Sequence, residues 1–229
     1  CSVTSKEGVM QAETRKSGFM GMSVNEAIEV NTPDAFAGKQ QVVIGGFKVG
    51  FNDSKRLQNK AKGTFLSSAS GGKSTGLVKL EGVSAQVMQN ITDKAYSDFV
   101  KQLQAQGYTV IERSNFTGHT GYQKTKEYDF PYKDDNSGLL SSYGTMVYYS
   151  PREIGQKQPI FSGEIEGVTG GFGFANPMNA VALYGEETGI PVLNVVYLID
   201  FAGAGGHEST MTSSLAVGQL LSVDRGLVG

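Results

Sequence analysis

One stretch, residues 41 to 113, constrains the fold of this chain more than any other. It predicts a strand from Gln41 to Phe51, a long helix from about Ser84 to Gln106, and a second strand from Tyr108 to Arg113. This order of elements is typical of a domain in which helices pack on a sheet. With 229 residues, of which 39% are hydrophobic, the chain is long enough to bury a sizeable core in one such domain.

The first strand alternates along its length between two faces. One face is predicted to carry Val43, Gly45, Phe47, Val49 and Phe51. The other is predicted to carry Val42, Ile44, Lys48 and two further glycines. Period-two patterning with β-branched and aromatic residues indicates a strand with one well-buried face. The three glycines predict that a helix packs closely against it.

The helix has the clearest pattern in the chain. Ser84 is a suitable N-cap, and Gly107 is placed where a left-handed C-terminal cap is expected. The predicted buried stripe recurs at spacings of three and four and consists of Met88, Ile91, Ala95, Phe99 and Leu103. The predicted solvated face carries Lys94, Asp98 and Lys101. If the stripe is buried in the core, Phe99→Ala should lower the free energy of unfolding by roughly 3–5 kcal/mol. Lys94→Ala should leave it nearly unchanged.

The remaining elements predict an α/β fold of the α+β sandwich type. A mixed sheet is packed by two main helices, with a Gly- and Tyr-rich insertion at about residues 114–175. The predicted elements are a hairpin at Thr64–Leu80, a surface excursion at Asn115–Asn136, strands at Leu139–Tyr149 and Ile160–Phe174, a helix from Asn176 to Gly189, a strand from Pro191 to Phe201 and a last strand through Leu215–Val223. Residues 40–229 form one domain. Residues 1–39 form a tether in which only Val24–Val30 is expected to make a helical turn.

Composition and motifs argue against several classes of function. The net charge of −2 without a basic block argues against nucleic acid, and no run approaches the ~20 apolar residues of a membrane helix. The segment Gly72-Lys73-Ser74-Thr75 lacks the earlier glycine of a phosphate loop, since that position is Ser67. Ser74 also lies in a Gly-x-Ser-x-Gly match, but in a predicted turn rather than the strand-to-helix turn of a nucleophile.

No set of residues predicts catalysis or a bound metal. The two histidines, His119 and His207, lie far apart in glycine-rich loops without metal-ligand spacing. An enzyme or a small-ligand-binding domain built on these loops has no positive support in the sequence. We therefore expect a protein that is not an enzyme, with no catalytic residues, no metal and no cofactor.

Cys1 is the single cysteine, which rules out an internal disulfide framework. A chain that begins Cys-Ser resembles a mature bacterial lipoprotein after removal of its signal peptide. The alternative is a chain boundary that happens to fall at a cysteine. The lipoprotein interpretation implies that acyl chains such as palmitate modify Cys1, and that Ser2 directs the protein to the outer membrane. Two or three acyl chains anchor stably, at about 0.8 kcal/mol per buried CH₂.

Three segments and the order of elements carry a resemblance to a known family. The segments are Val-Val-Ile-Gly-Gly-Phe-Lys-Val, Gly-Tyr-Thr-Val-Ile-Glu-Arg and Val-Leu-Asn-Val-Val-Tyr-Leu-Ile-Asp-Phe. Over about Gln41 to Asp224 the chain resembles the curli-secretion lipoproteins of the CsgG type, whose α/β plan is shared by LpoB and the N-terminal domain of TolB. The resemblance implies an outer-membrane lipoprotein that faces the periplasm and acts by assembly.

The resemblance leaves the mode of action open between a pore and a periplasmic scaffold. Membrane-embedded hairpins need about 9–11 alternating residues per strand. Thr64–Leu80 and Leu139–Phe174 are where such hairpins could lie, and neither alternates cleanly. We therefore expect a lipoprotein that assembles in the periplasm, as a homo-oligomer or with other envelope proteins, or a monomeric scaffold or activator of the LpoB type. It would meet the membrane through its lipid anchor.

The candidate subunit contact is an aromatic cluster in the excursion. Its members are Tyr122, Tyr128, Phe130 and Tyr132. Exposed aromatic side chains serve as anchors when a partner buries them. The alternative, of equal weight, is that these rings pack onto their own sheet.

Overall fold

The computed structural model describes residues 17–19, 22–24, 28–30, 36–60, 73–134, 145–165, 168, 170–205 and 216–228. The helices are α1 (Ala85–Ala105), α2 (Arg113–Thr117) and α3 (Pro177–Thr188). The strands are β1 (Ser17–Phe19), β2 (Met22–Val24), β3 (Ile28–Val30), β4 (Gln41–Lys60), β5 (Lys73–Lys79), β6 (Thr109–Ile111), β7 (Tyr128–Asp129), β8 (Tyr132–Asp134), β9 (Thr145–Tyr149), β10 (Lys157–Gln158), β11 (Val192–Gly205) and β12 (Ala216–Val228).

A mixed sheet centred on β4 organises the fold. Its strands follow the order β3-β12-β11-β4-β9-β8, and β5 and β6 also pair with β4. β4 runs parallel to β11 and β6 and antiparallel to β9 and β5. The predicted fold class, a mixed sheet with helices of the α+β type, is therefore confirmed.

A bulge at Gly45 changes which side chains of β4 share a face. Ile44 lies opposite Leu193, and Gly46 lies opposite the next residue of β11, so Gly45 is the extra residue. The alternation reverses at a bulge. Val43 therefore faces away from Phe47, and the predicted face that grouped them is wrong. The residues that share the face of Phe47 are Val42, Ile44, Val49 and Phe51.

Both faces of β4 are covered, which explains why its residues 42 to 52 are all buried. Helix α1 packs on one face, where Met88 and Tyr96 contact the cluster around Phe47. On the other face, α2 and α3 bury Phe116, Ala180 and Tyr184. Residues 157–165 cover the remainder of that second face with a cluster that includes Ile160 and Ile165.

Local sequence signals set the ends of α1 as predicted. The side chain of Ser84 accepts a hydrogen bond from the amide of Val87. At the other end Gly107 is left-handed, and Tyr108 N–H donates to the carbonyl of Leu103 at 3.1 Å. This bond pattern is a Schellman motif, so the predicted glycine cap is confirmed.

The buried face of α1 is rotated from the predicted stripe. Met88, Thr92 and Tyr96 are its buried residues, whereas Ile91 is 41% exposed. The hydroxyl of Thr92 donates to the carbonyl of Met88, which lets a polar side chain occupy a core position. Ile91 was therefore wrongly assigned to the core.

Because the buried face of α1 is rotated, replacing two apolar side chains of this helix by alanine should lower the free energy of unfolding by different amounts. Phe99 is half-buried against Phe47, with ring centroids 5.7 Å apart. Phe99→Ala should lower the free energy of unfolding by about 2 kcal/mol, less than for a fully buried phenylalanine. Ile91→Ala should change it by under about 0.5 kcal/mol. Chemical denaturation measures both, and a larger loss at Ile91 would contradict this assignment of faces.

Several other predicted elements need correction. The hairpin predicted at Thr64–Leu80 is instead formed by the outer half of β4 with β5, from the pair Ser54–Lys79 to the pair Lys60–Lys73. Ser74 therefore lies in a strand and not in a turn. Among the described residues of 160–174 there is no strand, because turns and a 3-10 helix at Gly173–Ala175 replace it.

The tether segment and the last two strands also differ from prediction, whereas α3 agrees with it. Ile28–Val30, expected in a helical turn of the tether, is strand β3 and pairs in parallel with β12. β11 continues past Phe201 to Gly205, and β12 continues past Val223 to Val228. Helix α3 begins and ends as predicted, with Asn176 accepting from the amide of Met178 and Gly189 left-handed at φ 68°.

Candidate interaction surface

The structure divides the four predicted contact aromatics between core and surface. Tyr122 and Phe130 are buried within this chain, at 6% and 5% exposed. Tyr122 packs edge-on against Phe116, with ring centroids 5.0 Å apart. Tyr128 and Tyr132 are half-buried and pack against each other at 5.8 Å. Packing onto their own domain therefore holds for Tyr122 and Phe130, and the other two keep part of their rings at the surface.

Tyr122 is fixed by a polar network beneath the excursion. Its hydroxyl donates to a carboxylate oxygen of Glu127 at 2.6 Å, and the guanidinium of Arg113 lies 3.3 Å from the same hydroxyl. Burial, and then the bond to Glu127, raise the pKa of Tyr122 above its usual range. Arg113 also donates to the carbonyl of Gly45, so the network ties the excursion to the bulge in β4.

A glutamine side chain fills a gap beside the central strand. On one side of β4, β6 pairs with residues 41–43 and β9 with residues 49–54, so among the described residues no strand pairs with Phe47 on that side. The carboxamide of Gln158 accepts from the amide of Phe47 at 2.8 Å and donates to its carbonyl at 2.9 Å. Gln158 thereby supplies the two hydrogen bonds that a neighbouring strand would otherwise make.

A buried ion pair lies on the same stretch of β4. The ammonium of Lys48 is 3.0 Å from a carboxylate oxygen of Glu164, and the two side chains are 0% and 1% exposed. The same carboxylate accepts from the amide of Phe161 and from the side chain of Asn194. Gly46 makes room for this cluster, because a Cβ there would overlap the side-chain oxygen of Asn194.

The electrostatics of this pair are set by burial. Removal from water lowers the pKa of Lys48, although the carboxylate of Glu164 opposes that shift. Beyond the ionic contact, the ammonium makes no hydrogen bond of good geometry with a described group. Both side chains are sealed from solvent. The pair therefore anchors residues 161–165 to the sheet and offers no surface to a partner.

His119 lies in a local hydrogen-bond arrangement. Its Nδ1 accepts from the amide of Gly121, and its Nε2 lies 2.9 Å from a carboxylate oxygen of Glu187. Within the described parts of the chain, no three His, Cys, Asp or Glu side chains lie close enough together to hold a metal. His207 and Cys1 lie outside the described residues.

Of the described residues, the large apolar side chains most exposed to solvent lie on a short turn and in the first turn of α3, which follows it. Phe172 is 87% exposed, Phe174 is 73% exposed and Met178 is 52% exposed. We call residues 171–176 the aromatic turn. Large apolar side chains left exposed close together in a chain are typical of interaction sites, so the aromatic turn is the candidate interaction surface.

The aromatic turn is held by hydrogen bonds and by glycine conformations. Ala175 N–H donates to the carbonyl of Phe172, and the side chain of Asn179 donates to the carbonyl of Gly173 at 2.6 Å. Gly171 and Gly173 have φ of 101° and 59°, conformations that other residues rarely adopt. The backbone therefore presents the two phenylalanines in a defined position.

Two lysines stand beside the aromatic turn. Lys126 N–H donates to the carbonyl of Ala175 at 3.1 Å, which holds the segment of the lysines alongside the turn. The ammonium of Lys124 lies 5.1 Å from the ring centroid of Phe174, and that of Lys126 lies 4.6 Å from the ring of Tyr128. Both lysines are exposed. The surface thus combines apolar rings with positive charge.

Sequence reasoning did not predict this surface. The segment Gly171-Phe-Gly-Phe-Ala-Asn lacks the third glycine of a dinucleotide fingerprint, and its glycines were assigned to a strand. The signal that could have found it is a pair of phenylalanines set between glycines just before the Asn-Pro start of α3. Glycines with positive φ exclude a regular strand there.

Comparison of the chain with protein-family models, curated proteins and solved structures gave no match. The resemblance to the curli-secretion lipoproteins stays a prediction from the sequence. Of the helices in the described part of the chain, none has the length and apolar character needed to cross a membrane.

Proposed function

We propose that this chain is a non-enzymatic lipoprotein of the bacterial outer membrane. It faces the periplasm, is anchored through acyl chains on Cys1, and assembles as a homo-oligomer in a secretion or envelope-assembly apparatus resembling that of the CsgG-type proteins. The role follows from contact with other molecules.

The aromatic turn is the observation that carries a role in contact with other molecules, and the contact between copies is argued below from Tyr128 and Tyr132. A soluble domain loses favourable free energy by leaving large apolar rings in water. Here an ordered backbone holds Phe172 and Phe174 in water instead of burying them. Such an arrangement is useful to a protein that works by docking, because a preorganised surface loses less entropy when it binds.

The half-buried rings of Tyr128 and Tyr132 supply a separate contact for a second copy of the chain. Partly exposed tyrosines are common anchors in protein interfaces. The burial of Tyr122 and Phe130 inside one chain favours the second candidate, a monomeric scaffold or activator of the LpoB type. That candidate shares the lipid anchor and lacks the self-association.

Light scattering on detergent-extracted protein tests the assembly. We expect a homo-oligomer, and we expect Tyr128→Ala with Tyr132→Ala to shift it towards the monomer because both rings leave the contact. Intact mass of the same sample should show acyl chains on Cys1.

Tyr108→Ala is the matched control, since Tyr108 is a half-buried tyrosine packed in the cluster under α1. It should leave the oligomer unchanged. A monodisperse monomer in the unmutated protein removes the assembly proposal and favours the scaffold. An unmodified Cys1 removes the lipoprotein proposal.

A further inference from the structure

The aromatic turn differs in composition from the centre of a protein interface. Its exposed rings are Phe172 and Phe174, and Met178 of α3 follows them in the chain. The ammonium of Lys124 lies over the ring of Phe174, and the backbone N–H of Lys126 donates to the turn. Lysine is depleted in protein interfaces, where desolvation of its ammonium is costly. Aromatic and aliphatic side chains next to lysines are instead typical of surfaces that lie at the boundary between water and lipid.

The positive charge of this surface is available to a ligand. Among the residues that the structure describes, neither Lys124 nor Lys126 forms an ion pair. Glu127, the adjacent acid in the sequence, uses one carboxylate oxygen to accept the hydroxyl of Tyr122. Two cations beside exposed rings complement a layer of anionic headgroups above acyl chains.

We propose that the aromatic turn binds the surface of an anionic lipid bilayer. Phe172 and Phe174 enter the boundary between headgroups and acyl chains, and Lys124 and Lys126 face the lipid phosphates. This inference rests on the proposed function, which places the domain beside a membrane through Cys1. It adds a second, non-covalent contact that fixes how the domain is oriented on that membrane.

Vesicle flotation with the full chain carrying Cys1→Ala tests this contact without help from acyl chains. The probes are vesicles of phosphatidylethanolamine with phosphatidylglycerol, and vesicles of phosphatidylcholine alone. We expect binding to the first and weaker binding to the second. Phe172→Ala with Phe174→Ala should lower the partition coefficient by about tenfold or more, because buried ring area is lost.

Charge substitutions test the contribution of the lysines to binding separately from that of the rings. Lys124→Gln with Lys126→Gln should weaken binding to the anionic vesicles by about fivefold per lysine. Added salt should reduce the binding of the unmutated protein and have less effect on this variant, because salt screens the charge contribution.

Matched controls lie on α1, which covers the opposite face of the sheet. Val87→Ala with Ile91→Ala removes apolar groups that are 46% and 41% exposed, and Lys94→Gln with Lys101→Gln makes the same change in net charge. Both control variants should bind vesicles as the unmutated chain does.

Two results would overturn the proposal. One is the absence of flotation with anionic vesicles. The other is equal binding by the phenylalanine variant and its control. If vesicles do not bind but the phenylalanine variant loses self-association in light scattering, the aromatic turn is a contact between copies. The acyl mass and oligomer size of the unmutated protein are measured separately, so failure here leaves the proposed function standing.

Discussion

Gln158→Met should lower the free energy of unfolding by about 2–5 kcal/mol, because it leaves the buried amide and carbonyl of Phe47 without partners. Both groups bond to the carboxamide of Gln158, at 2.8 and 2.9 Å. Methionine keeps the length of the side chain and removes the donor and the acceptor. Gln158 also donates to the hydroxyl of Ser150. The loss therefore reports the hydrogen bonds of the carboxamide rather than a cavity. Urea unfolding followed by circular dichroism measures it.

Gln104→Met is the matched control for this substitution. Gln104 lies exposed on α1, so the same chemical change there should shift the free energy of unfolding by no more than about 0.5 kcal/mol. Equal losses at the two positions would show that Gln158 does not substitute for a strand beside β4.

Glu164→Gln should be among the most destabilising substitutions in the described part of the chain, at about 3–5 kcal/mol. It leaves the ammonium of Lys48 fully buried without an opposite charge. Adding Lys48→Met to the same chain should recover part of the loss, since the double variant buries no charge. The expected sign is unusual, because a second core substitution restores stability. Denaturation of the two single variants and the double variant measures the coupling.

The exposed pair of Lys94 and Asp98 on α1 provides the comparison. Its atoms are 2.8 Å apart, close to the 3.0 Å of the buried pair, but its side chains are 77% and 44% exposed. Asp98→Asn should have little measurable effect, because water screens this pair. If the double variant of Lys48 and Glu164 is less stable than Glu164→Gln alone, the stability lost in Glu164→Gln does not arise from the buried charge of Lys48.

The sequence predicted correctly the elements whose ends are set by neighbouring residues. Ser84 and Gly107 delimit α1, and Asn176 and Gly189 delimit α3, because caps act within one helical turn. On the strand predicted from Pro191, which is β11, the alternate residues Leu193, Val195, Tyr197 and Ile199 share the face that packs in the cluster around Phe47. Period-two alternation identifies that face because no bulge in β11 interrupts those residues.

The two errors in the core have different causes, a pairing with a distant strand in β4 and a hydrogen bond within the helix in α1. Alternation along β4 predicted the wrong partners for Phe47, since the bulge at Gly45 depends on how β4 pairs with β11. The 3.6-residue pattern on α1 placed Ile91 inside and gave no weight to Thr92. A threonine can be buried when its hydroxyl bonds within the helix, so polarity alone misjudged this face.

By itself the sequence determined the fold class, the two main helices and the strands that bracket them, because these follow from capping and periodicity over a few residues. Tertiary structure alone decided that Gln158 completes β4 from 111 residues away, that Glu164 pairs with Lys48, and that Phe172 and Phe174 remain in water. Such contacts depend on which distant segments meet, and neither propensity nor spacing encodes that directly. The aromatic turn, on which the proposed membrane contact rests, belongs to this second group.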